Sequence, residues 1–113
     1  MSLRDLCRLL LLAAVVTITW LALSPRPPPL VDTGADKINH LLAFTTLSFM
    51  AWFALPGARR VAMVALLAYG GMIEIVQSFV PSRSAEWADF ATDAAGIALG
   101  SLLAGAAQFI RRR

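Results

Sequence analysis

Four apolar stretches, each close to twenty residues long and each ended by proline or charge, occupy most of this 113-residue chain. A helix needs about 20 apolar residues to cross the roughly 30 Å hydrocarbon layer of a bilayer, so these stretches have the length of membrane crossings. The totals agree: 58% of the residues are hydrophobic, 15% are charged, and the mean hydropathy is +0.70. A domain this small has too little interior to hide so much apolar surface from water. The expected fold is therefore all-α, an integral membrane bundle of four transmembrane helices.

Arg4, Asp5 and Arg8 precede the first stretch, predicted as a helix over about residues 6–23. The charged start and apolar run resemble a signal peptide, and Ala22-Leu23-Ser24 resembles a cleavage site. Pro25 directly after Ser24 presents poorly to a peptidase, so the segment reads as an uncleaved helix. Four prolines in residues 24–29 then forbid helix, because they lack amide donors and restrict the residues before them. Residues 1–35 thus form a first transmembrane helix and a proline-rich outer linker.

Residues 36–113 supply the other three predicted helices, over about 36–55, 61–80 and 89–110. Asp36 starts the second, where a carboxylate meets unpaired amides and the positive end of the dipole. Pro56-Gly57 ends it, and the short connection makes the second and third an antiparallel pair. A polar loop with Ser82, Arg83, Ser84 and Glu86 leads to the fourth helix, which ends in the basic tail Arg111, Arg112 and Arg113. Gly96, Gly100 and Ala104 give it a small-residue stripe suited either to close internal packing or to a homo-oligomer.

The net charge of +3 and a pI near 10.0 do not point to nucleic acid, because the basic residues stand singly or in short groups at helix ends. Placing the N-terminus inside puts seven basic residues in the cytoplasm (Arg4, Arg8, Arg59, Arg60, Arg111, Arg112, Arg113) and three outside (Arg26, Lys37, Arg83). Positive loops stay inside, so both termini are expected to be cytoplasmic. Trp20 and Trp87 then mark the outer interface and Trp52 the inner one. The single cysteine, Cys7, offers no disulfide or metal partner.

This topology gathers the polar residues at the outer end. Asp36 and His40 are four apart on the second helix, Glu74 and Gln77 three apart on the third, and Asp89 and Asp93 four apart on the fourth, so each pair shares a helical face. Gly70, one turn before Glu74, lets a neighbouring helix come close. Glu74 lies six residues before Val80, about 9 Å inside the predicted span, where a carboxylate costs at least about 2–3 kcal/mol. His40 titrates near neutral pH, and a carboxylate opposite makes His40 and Glu74 a candidate proton-transfer pair. Arg83 and Lys37 would hold an anion, and Gln77, Asp89 and Asp93 would complete the binding wall. His40, Glu74, Asp89 and Asp93 include metal-ligand types without any local spacing signature, so neither a metal nor a cofactor is expected.

Asp36-Lys37 with His40, Glu74 with Gln77, Arg83-Ser84 with Asp89, and Gly96 with Gly100 resemble the VanZ-like membrane proteins over about residues 36–103. Two positions depart from that pattern: Phe44 stands where a hydroxyl-bearing aromatic is common, and Asp93 where asparagine is common. The resemblance implies a multi-pass protein of the cell (inner, cytoplasmic) membrane, linked to low-level resistance to the glycopeptide antibiotic teicoplanin. With the outer-face pocket, the expected partners are membrane lipids, and the expected ligand is the anionic head group of an envelope lipid or lipid-linked precursor. Whether the chain is an enzyme is left open. The alternative function is a non-catalytic accessory or scaffold protein whose polar cluster only locks the helices.

Overall fold

A computed structural model of the chain describes residues 1–24, 35–80 and 87–112, apart from the side chains of Ala35 and Asp36. The proline-rich linker and the loop that carries Arg83 and Glu86 lie outside the described residues. Four helices make up nearly all of the rest: α1 (Leu3–Leu23), α2 (Ala35–Ala54), α3 (Arg59–Gln77) and α4 (Trp87–Arg111). A 3-10 turn at Pro56–Ala58 joins α2 to α3.

The boundaries differ from the sequence reading for local reasons. The helix α1 begins earlier because Ser2 caps it: the Asp5 amide donates to Ser2 Oγ at 3.1 Å, and the Ser2 amide donates to the Asp5 carboxylate at 3.4 Å. The helix α3 stops at Gln77, where the Phe79 and Val80 amides turn back onto the Val76 and Gln77 carbonyls. Glu74 therefore sits in the last turn of its helix and not 9 Å inside it.

Three of the helical segments, Leu3–Leu23, Pro56–Gln77 and Trp87–Arg111, are long and apolar enough to cross a membrane. The helix α2 is not among them, since Lys37, Asn39, His40, Thr45, Thr46 and Ser48 dilute its hydropathy. It is instead the inner helix of the bundle. It carries Phe44, Leu47, Ser48, Ala51 and Ala54, all at most 2% exposed, and it packs against all three others.

The tightest pairing is α2 with α4, not α2 with α3. Paired residues advance together along them, His40 with Asp93, Ser48 with Gly96 and Trp52 with Gln108, so the two run parallel. Glycine makes the approach possible. A Cβ on Gly96 would come within 2.9 Å of the Leu41 carbonyl, and one on Gly100 within 1.8 Å of Ser48 Oγ and 2.3 Å of the Thr45 carbonyl. The glycine stripe thus serves packing within the chain.

The first helix buries no residue fully and is held by polar clasps. Arg8 Nε donates to the Ala54 carbonyl at 2.9 Å, the Tyr69 hydroxyl meets Thr19 Oγ1 and donates to the Val15 carbonyl, and Gln77 Nε2 donates to the Ala22 carbonyl at 2.8 Å. Between these points Leu11, Ala14, Val15 and Ile18 rest on a core of Phe44, Leu47, Ala51, Ala62, Leu66 and Ile97. The clasps also fix direction. The end of α1 lies beside the end of α3 and its start beside the end of α2, so the four helices alternate up and down. One end of the bundle therefore holds the starts of α2 and α4 and the ends of α1 and α3.

Candidate functional site

At that end, His40 Nδ1 lies 2.7 Å from Asp93 Oδ1, a short hydrogen bond between the parallel helices α2 and α4. Asp93 is completely buried, and its Oδ2 has no hydrogen-bond partner among the described residues. Gly70 on α3 makes room for this carboxylate: a Cβ there would stand 2.8 Å from Asp93 Oδ2 and 3.3 Å from Phe44 Cζ. The small residue thus admits a side chain of the neighbouring helix as well as its bulk.

The other face of the imidazole points to α3, with His40 Nε2 3.9 Å from Glu74 Oε1. That separation is too long for a direct hydrogen bond. Asp89, one turn before Asp93, lies 3.8 Å from Lys37 Nζ, so an ion pair from α2 to α4 caps the cluster. Glu74 and Asp89 are 8% and 6% exposed, whereas the Lys37 side chain is 42% exposed. One ligand atom each of His40, Glu74 and Asp89 come within 4.8 Å of one another.

Five of the sequence-selected residues therefore meet: Lys37, His40, Glu74, Asp89 and Asp93. Gln77 is buried nearby, and its Nε2 donates to the Ala22 carbonyl of α1. Asp36 stands in the first turn of α2, with its side chain outside the described residues, as is Arg83. Gly96 and Gly100 lie deeper, in the seam between α2 and α4. The sequence reading paired His40 with Glu74 and placed Asp93 in the binding wall; the residue within hydrogen-bond distance of His40 is Asp93, which occupies an equally suitable face at the same end.

An apolar cavity of about 500 Å³ adjoins the cluster, lined by Gly71, Glu74, Ile75, Phe79, Trp87 and Phe90 among others. It lies between the end of α3 and the start of α4. Phe79 and Trp87 are 84% and 86% exposed, so its rim faces outward from the bundle. Trp87 packs edge-on against Phe90, their centroids 6.2 Å apart. Glu74 belongs both to this cavity and to the His40 cluster. Sequence reasoning missed the cavity; the paired aromatics Phe79, Trp87 and Phe90 flanking the polar loop were the available signal.

A family model described as VanZ/LLP1 matches residues 8–108. The chain belongs to the VanZ/LLP1 family. The match begins at Arg8 and so takes in α1, which the spaced polar motif did not reach. No curated protein and no solved structure matches the chain. For this VanZ/LLP1 protein, then, the reading of the site rests on its own geometry.

Proposed function

We propose that this VanZ/LLP1 protein crosses the cytoplasmic membrane four times with both termini inside. Its outer-face site binds the head group of an anionic envelope lipid or lipid-linked precursor. The observation that carries the reading is the double membership of Glu74, which lines the outward-facing apolar cavity while standing 3.9 Å from His40 Nε2. An amphiphile with its tail against Phe79, Trp87 and Phe90 would present its head to the His40 cluster and to Lys37. Alternation of the helices supports four crossings, because α2, although less apolar, is covered by the other three. Membership of the VanZ/LLP1 family motivates teicoplanin susceptibility as a cellular readout.

The test uses the full chain purified into nanodiscs of envelope lipid, with bound lipid read by native mass spectrometry. Wild type is expected to retain a lipid that Glu74→Gln and Phe90→Ala release, with helix content and yield unchanged. If both variants accumulate normally and keep the same lipid, the reading fails. If Glu74→Gln and His40→Ala fail to accumulate while Phe90→Ala binds lipid as wild type does, the cluster is a structural lock, and the accessory role is the better account.

A further inference from the structure

We propose that His40, Glu74 and Asp89 hold a divalent transition-metal cation of the zinc or manganese class, which bridges the site to the head group; this rests on the lipid-site reading above. The three side chains come from α2, α3 and α4, and their ligand atoms lie within 4.8 Å of one another. A tetrahedral cation about 2.0–2.1 Å from each ligand needs them roughly 3.3 Å apart. Rotations of the Glu74 and Asp89 carboxylates can supply the difference.

The arrangement behind His40 points the same way. Metal-binding histidines commonly donate their second ring nitrogen to a carboxylate, which fixes the ring and strengthens the ligand. Asp93 Oδ1 is that carboxylate here, 2.7 Å from Nδ1, which leaves Nε2 directed at Glu74. The fully buried Oδ2 of Asp93 has no hydrogen-bond partner among the described residues. A cation on Nε2 would supply positive charge where that carboxylate needs it.

The donor set decides the class of cation. An imidazole with two carboxylates fits zinc or manganese better than calcium or magnesium, which favour all-oxygen shells. Three protein ligands leave a position for a head-group oxygen. His40 Nε2 then holds the metal in place of the exchangeable proton that the sequence assigned to it.

The experiment titrates Zn²⁺ alone into the chelator-stripped full chain in lipid-free detergent by calorimetry, and Mn²⁺ by electron paramagnetic resonance. One saturable equivalent is expected. Glu74→Gln and Asp89→Asn should each weaken it at least about tenfold, Asp93→Asn about 10–100-fold as an outer-shell change, and Cys7→Ser not at all. X-ray absorption of zinc-loaded wild type should show one imidazole among oxygen ligands, which decides the matter even where a variant misfolds. Absence of saturable binding, or binding that Cys7→Ser abolishes and Glu74→Gln leaves intact, overturns the proposal. Lipid retention by the stripped protein is followed in parallel: lipid kept without metal binding sinks the cation alone, and metal bound without lipid sinks only the head-group reading.

Discussion

His40 Nδ1 and Asp93 Oδ1, 2.7 Å apart, join the starts of the parallel helices α2 and α4 through the chain's single histidine. Because Asp93 is wholly buried, losing either partner leaves a polar or charged group in an apolar interior. Breaking a buried pair from one side costs about 3–5 kcal/mol. Asp93→Leu should lower stability by that order, whereas Asp93→Asn, which keeps an acceptor for Nδ1, should cost clearly less. Thermal unfolding in detergent checks the ranking; equal losses would show that the charge, and not the hydrogen bond, is what matters.

Gly70→Ala should act on this pair from the third helix. Its Cβ would fall 2.8 Å from Asp93 Oδ2, so the carboxylate must move and the bond to His40 must lengthen. The nitrogen-15 shift of His40 Nδ1 should change, while Gly71→Ala, which meets only the edge of Phe90 at 3.3 Å, should leave it near wild type. An unchanged Nδ1 signal in Gly70→Ala would mean that the carboxylate has room elsewhere.

Gly100→Ala tests the seam. The added carbon would lie 2.3 Å from the Thr45 carbonyl, a backbone atom that cannot rotate away, so α2 and α4 must separate. Overpacking of this kind costs about 1–3 kcal/mol or more, and a fall in melting temperature is expected. Gly105→Ala, only 3.7 Å from the Trp52 ring, should be neutral or stabilise by up to about 1 kcal/mol through helix propensity. A matching fall in both variants would argue against a specific seam.

Gln77→Leu should loosen α1 without disturbing the other three helices, since its amide reaches the Ala22 carbonyl at 2.8 Å. Hydrogen exchange of amides near residues 18–24 should quicken, with those of α4 unchanged. Loss of protection throughout would show instead that α1 is needed for the whole bundle.

Much of this was legible from the sequence. Proline, glycine and charge marked the four helices to within a few residues, because each removes helical hydrogen bonding or apolar continuity. The gathering of His40, Glu74, Asp89 and Asp93 at one end followed from alternating helix direction and a helical period. The partners did not follow: spacing gives a face, and both Asp93 and Glu74 had an eligible one. That Gln77 clasps α1 was equally hidden, because its carbonyl partner at Ala22 has no side-chain signature. The Ser2 and Asp5 capping box does have a sequence signature, a serine three residues before an acid at the head of an apolar run.

The seam at Gly96 and Gly100 has a mechanical consequence. Two helices packed backbone to backbone form one strut, and His40, Asp89 and Asp93 all stand on it. Glu74 rides on a different helix, joined to that strut by thinner packing. The gap between Glu74 and the strut is then the dimension of the cluster that packing holds least.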